Sequence, residues 1–190
     1  MTGRVAMVSL DRAKQLGDEW GTPGPRTTRS AFRVLANNPP LARSAFAMLS
    51  QLMEHNTLDA RLRELMIMRI GWVTGSVYEW TQHWRVAASV GVPPEDVLAV
   101  RDWRASDRLT EADKAVLAAT DESLAGKAIS DATWSQVTKH ITEPGQQVEF
   151  VVAMGNWTMF SILLRNLKIP LEDGVAAWPP DGRHSPAAEV

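Results

Sequence analysis

Glu64, Glu79 and His83 are proton-transfer groups that fall within one apolar stretch dense in tryptophan and methionine. Glu79 and His83 are four positions apart, so on a helix they occupy one face and can share a proton. A histidine bonded to a carboxylate suits general acid–base work. The carboxylate orients the ring and stabilises its charged form, leaving the other nitrogen to act on a substrate. Glu79 or Glu64 can hold His83 in this way, with the remaining glutamate as a second acid or base. Trp72, Tyr78 and Trp80 are candidate walls of a substrate pocket, and desolvation among such rings raises a carboxyl pKa. Tyr78 also offers a hydroxyl to a developing oxyanion.

The elements that must position these groups are helical. Turn residues cut the chain into segments with apolar residues at intervals of three and four, and no segment alternates like a strand. Helices are expected over 28–35, 41–53, 59–72, 76–90, from 93 onward, 110–125, 130–140 and 145–167. Asn37-Asn38-Pro39-Pro40 is expected to stop the first of these, and Thr74-Gly75 separates the third from the fourth. Thr110 to Asp113 resembles a capping box. The expected fold is all-α, about eight helices in a bundle. One domain is expected over 28–170, preceded by an extension over 1–27 and followed by an irregular tail over 171–190.

The segments 64–72 and 149–157 match in length, in a leading glutamate, in an apolar run and in a closing tryptophan. This degenerate internal repeat assigns chemistry to the first copy and walls to the second. Asn156, in the second copy, is a candidate for lining the same pocket.

Composition narrows the chemistry. The chain has no cysteine, so disulfide, thiolate and peroxidatic reactions are excluded. A net charge of −2 with mixed signs offers no basic stripe for nucleic acid. Asp11, Arg12 and Lys14 interrupt the start before it can form the apolar core of a signal peptide, and no run approaches a membrane span. A cytoplasmic protein with neither nucleic-acid nor membrane partner is therefore expected. Eight tryptophans and eight methionines in 190 residues give more apolar surface than one small core easily hides. A homotrimer or homohexamer with pockets near the subunit contacts is the expectation.

Arg61-Leu62-Arg63-Glu64 opening an apolar helix, then Tyr78-Glu79-Trp80, His83, Ala87, Gly91 and Pro94-Glu95-Asp96-Val97 resemble the pattern of the carboxymuconolactone decarboxylase family. That family belongs to the AhpD-like superfamily of helical oligomers, and the resemblance covers roughly residues 30 to 170. In the redox branch a glutamate precedes two cysteines and a histidine follows. Here Glu64 and His83 match the first and last of these, while Ser76 and Glu79 stand at the cysteine positions. The resemblance thus implies the branch lacking the redox pair: a lyase that uses no metal and no organic cofactor, acting on a small molecule through His83, Glu79 and Glu64.

Each group also has an ordinary structural role open to it. Ser76 and Glu79 fit a capping box, Glu64 is flanked by Arg61 and Arg63, and tryptophan and methionine usually pack cores or interfaces. His55, His140 and His184 sit in a turn, near a helix end and in the tail. Three functions stay open: a cofactor-independent lyase on a cyclic acid or lactone, another proton-transfer enzyme on a larger aromatic substrate, and a non-catalytic oligomeric binding protein. A diacid lactone calls for a pocket cation, and Arg69 and Arg85 are the nearest candidates.

Overall fold

The computed structural model describes residues 3–22, 24–126 and 128–189, and no strand occurs among them. Two compact units form: Met1–Asn56 with Leu163–Val175, and Thr57–Ile162 with Ala176–Val190.

The first unit contains α1 (Leu10–Glu19), α2 (Ser30–Leu35) and α3 (Pro39–Glu54). Helix α1 lies inside 1–27, where the sequence reading places none. Of its apolar residues Leu10 is exposed, while Ala13 and Leu16 are buried with Phe32 and Ala36 in a small core. Ser9 caps it by accepting from the Arg12 amide. Trp20 and Phe46 pack on Phe32 at centroid distances of 5.7 and 4.6 Å. Pro39 and Pro40, expected to stop the preceding helix, also begin α3: they occupy its first turn, where no amide partner is needed, and Asn38 caps it.

The second unit holds α4 (Ala60–Thr74), α5 (Val77–Ser89), α6 (Pro94–Ala99), α7 (Glu111–Leu124), α8 (Asp131–Val137) and most of α9 (Pro144–Asn166). Helix α4 is its axis, with Leu65, Met66, Ile67, Met68 and Ile70 fully buried. Asp59 caps its start, and Gly75 ends it at φ 72°, a left-handed position that glycine takes without steric cost. Only Gly75 and Ser76 separate α4 from α5, so α5 doubles back along α4. At Gly71 a β-carbon would lie 3.1 Å from the Trp80 amide, so glycine there lets the two helices approach closely. The Thr110–Asp113 capping box forms at α7 as expected. The Ser76–Glu79 box does not, because Ser76 makes no cap hydrogen bond.

The segment after Val175 has little regular structure, apart from a 3-10 turn over Pro186–Glu189, yet it is packed. Trp178 and Ser185 are buried, and Ser185 Oγ donates to the Trp72 carbonyl at 2.5 Å. Contrary to the expectation that no run approaches a membrane span, helix α9 is long and apolar enough to cross one by length and composition. Its buried Phe150, Ala153, Met154 and Trp157 are also what a core helix requires.

Candidate active site

The hairpin geometry decides which glutamate meets the histidine. Because α5 runs back along α4, a residue near the start of α4 faces the middle of α5, and one near the start of α5 faces the end of α4. Glu64 therefore reaches His83, with Oε2 2.7 Å from Nδ1. Glu79 does not meet His83, although the two share a helix face. It lies a turn away beside Gly71 and accepts from the Ser161 hydroxyl of α9. Of the two glutamates that the sequence leaves open as partners of His83, the hairpin selects Glu64, and the Glu79–His83 pair suggested by spacing does not form.

Helix α9 runs beside α5, matching Trp157 to His83 and Ser161 to Glu79. Trp157 Nε1 donates to His83 Nε2 at 2.9 Å. An indole nitrogen only donates, so Nε2 must be the accepting nitrogen and the ring is neutral, with its proton on Nδ1 and directed at Glu64. The other Glu64 oxygen accepts from Arg63 Nε at 2.9 Å. Glu64 has no exposed surface and the Arg63 side chain is 5% exposed, so the carboxylate is buried with a cation beside it. The His83 side chain keeps 13% exposure and is the part of the dyad that solvent can reach.

Glu79 sits in the opposite electrostatic setting. It is 3% exposed, and desolvation pushes its pKa up to about 8, opposed by the Ser161 and Ser76 hydroxyls. Its Oε1 and the Ser76 oxygen are buried without a well-formed hydrogen bond. Ser161 in turn contacts Thr74 Oγ1 at 3.0 Å. At neutral pH Glu79 is a protonated acid among hydroxyls.

The tryptophan candidates form a cluster of their own. Trp72 and Trp80 are buried with centroids 5.3 Å apart, and Trp84 stacks on Trp80 at 6.4 Å. Trp178, from the C-terminal segment, packs on both at 6.0 and 6.1 Å. Arg101 lies over Trp72 and Trp80 at 4.7 and 4.8 Å. Tyr78 and Asn156 are buried, and Asn156 Nδ2 has no partner. A cleft of about 710 Å³ in the first unit, lined by Ser30, Arg33, Pro170 and Glu172 among others, holds none of the candidate residues.

Other candidates are engaged elsewhere or lie apart. Arg61 bonds Asp113 and Asp96, and Arg69 bonds Asp121 and the carbonyls of Val100 and Arg101. Arg85 is exposed. Among the described residues no group of three or more His, Asp and Glu side chains is arranged to hold a metal ion. Sequence reasoning missed Trp157 as a partner of His83, Ser161 as a partner of Glu79, and Arg101. One signal for the first two was available: Trp157 and Ser161 are four apart on α9, as His83 and Glu79 are on α5.

Comparison with known proteins bears on the fold. Residues 39–122 match the model of the carboxymuconolactone decarboxylase family. No curated protein sequence matches the chain significantly. A Cys-to-Ala variant of the debrominase Bmp8, in a complex with 2,3,4-tribromopyrrole, superposes with a TM-score of 0.74 at 15% identity, covering 91% of this chain and 94% of the other. A peroxidase-related protein with an alkylhydroperoxidase AhpD core, from Ralstonia eutropha JMP134, gives 0.71 at 15% identity, covering 90% and 93%. One from Silicibacter sp. TM1040 gives 0.71 at 13%, covering 87% and 85%. At these identities the likeness is one of fold. The segment 39–122 thus carries a likeness to the carboxymuconolactone decarboxylase family, on an AhpD-like helical fold and in a chain that has no cysteine to form a redox pair.

Proposed function

We propose that the protein is a cofactor-independent lyase that moves a proton on a small cyclic or aromatic-derived carbonyl acid or lactone, with His83 as the transferring group and Glu64 orienting it. The hydrogen bond between Glu64 and His83, at 2.7 Å and with Arg63 behind it, is the observation that carries this reading. A substrate carboxylate conjugated to a lactone or enone carbonyl loses carbon dioxide when its C–C electron pair moves into that carbonyl as a dienolate. His83 Nε2 takes a proton from solvent once the Trp157 hydrogen bond gives way. Glu64 stabilises the imidazolium, and the same proton is delivered to the dienolate carbon. One proton is consumed, one C–H bond forms and carbon dioxide leaves.

Glu79 has a packing role in this proposal, because it is enclosed and bound to Ser161 rather than to His83. Trp72 and Trp80 hold the hairpin and its aromatic cluster, while Tyr78 and Asn156 are enclosed beside the dyad's helices. A second reading has support from His83 itself. A neutral ring accepting at Nε2 is a base, which also suits an isomerisation or elimination begun by proton abstraction. The debrominase neighbour with its bound small aromatic ring supports that alternative. We further propose a cytoplasmic homotrimer or homohexamer. Exposed Val148, Val151, Val152, Met159 and Ile162 on α9 give apolar surface for self-association. Light scattering tests this, and a monomeric mass overturns it.

The functional test is incubation with carboxymuconolactone and a panel of enol lactones and keto acids, following carbon dioxide release and substrate absorbance. Release from a lactone acid, abolished in His83→Ala, is expected. Substrate loss without carbon dioxide selects the second reading, and binding without turnover selects a non-catalytic binding protein.

A further inference from the structure

Arg101 is a cation that the catalytic reading does not use. Its side chain is 8% exposed, and its guanidinium lies over both Trp72 and Trp80. Nη1 and Nη2 donate to the two oxygens of Asp181 at 2.7 and 2.9 Å, a fork matched to a carboxylate. Its Nε is buried and has no partner. The carboxylate comes from the chain's own C-terminal segment, and three residues earlier that segment lays the Trp178 ring against Trp72 and Trp80. Trp80 Nε1 donates to the Pro179 carbonyl at 2.8 Å, and the Trp178 amide to Thr81 Oγ1 at 3.3 Å. The segment therefore presents a flat ring and an anion, joined by a short tether, to two rings and a buried cation.

Two details set this contact apart from ordinary core packing. Trp178 has φ 54°, a left-handed conformation costly for a bulky residue, so the backbone is held in a strained state to deliver the ring. Asp181 remains 44% exposed, so solvent reaches the side from which a competing carboxylate would arrive. On α5, Trp80 and Trp84 lie about 100° around the helix from Glu79 and His83, so this cluster is a separate face.

We propose that Trp72, Trp80 and Arg101 form a binding site for an aromatic or cyclic carboxylate, and that Trp178 to Asp181 of the same chain occupies it as a built-in competitor. Arg101 takes the carboxylate, the paired indoles take the ring, and Asp181 must let go before a ligand enters. The proposal is independent of the proton-transfer reading, because it is tested by binding.

The test uses benzoate as probe, with tryptophan fluorescence and calorimetry, on the full-length protein. Asp181→Ala should bind benzoate about tenfold or more tightly than the unmodified chain, since the internal carboxylate no longer competes. Acetate, which lacks the ring, and benzamide, which lacks the charge, should gain little. Adding Arg101→Gln should remove the gain, and adding His83→Ala should preserve it, which separates this site from the catalytic one. Asp181→Asn, of nearly the same size, provides the same test if the alanine variant does not fold. Unchanged benzoate affinity in a folded Asp181 variant overturns the proposal. So does an equal gain for acetate and benzamide.

Discussion

The two ends of the α4–α5 hairpin each bury a glutamate, and the two carboxyl groups have opposite surroundings. Glu64 has Arg63 on one oxygen and His83 on the other. Glu79 has hydroxyls from Ser161 and, more loosely, Ser76, with no cation, and its pKa rises to about 8. Burial is nearly the same, 0% and 3% exposed. The difference lies in what faces each residue across the hairpin. A carboxylate with a buried cation can organise a histidine for proton transfer, whereas one without stays protonated at neutral pH and acts as a polar spacer between helices.

Removing Glu64 should do the most damage. In Glu64→Ala, Arg63 is left as an uncompensated buried charge, and loss of one partner of such a pair costs about 3–5 kcal/mol. Urea unfolding at pH 7 measures this; a loss below about 1 kcal/mol would show that Arg63 escapes to solvent and that the contrast between the two ends is false.

Next in size is the pH response of the other end. Glu79 has its folded pKa raised from 4.5 to about 8, so its contribution to stability is fully present below pH 4.5 and is lost as pH rises through 8. Between those limits the unfolded chain has released a proton that the folded chain still holds, which costs up to about 1.4 kcal/mol per pH unit. Glu79→Gln should remove this slope: its unfolding free energy should match the unmodified chain near pH 5 and exceed it by a few kcal/mol at pH 9. Parallel pH profiles for the two proteins would contradict the assignment.

Smaller again is Ser161→Ala, which removes the hydroxyl bonded to Glu79 and in contact with Thr74, at about 1 kcal/mol. Trp157→Phe should cost a similar or smaller amount in stability, and its decisive readout is spectroscopic. The ¹⁵N signal of His83 Nε2 should shift when the indole donor is lost, while Nδ1 stays protonated against Glu64. An unchanged Nε2 signal would place Trp157 out of contact with the ring in solution.

The sequence carried much of this account in its periodicities. Capping residues and left-handed glycines delimit α4 and α7, and Gly91 follows the end of α5 at positive φ; these are local signals. Helix α1 escaped because its apolar residues, Leu10, Ala13 and Leu16, are only three among charged and polar neighbours. The segment after Val175 looked irregular and largely is, but local pattern cannot reveal that Trp178 lies against Trp72 and Trp80. Glu64, Glu79 and His83 were all legible as candidates. Which of the two glutamates orients His83 stays open in the sequence, because spacing along one helix favours Glu79 while the hairpin brings in Glu64. Trp157 required a third helix and its register, which a single sequence does not supply.

The central claim is that proton transfer belongs to the Glu64 end of the hairpin and not to the Glu79 end. It is tested most directly by the turnover number of His83→Ala and of Glu79→Gln, measured side by side on a substrate from the lactone panel. His83→Ala should lose about a hundredfold or more in kcat, the usual scale of a general acid–base residue, while Glu79→Gln stays within a few-fold of the unmodified protein. A His83→Ala protein that turns over normally, or a folded Glu79→Gln protein that falls as far as His83→Ala, would contradict the account.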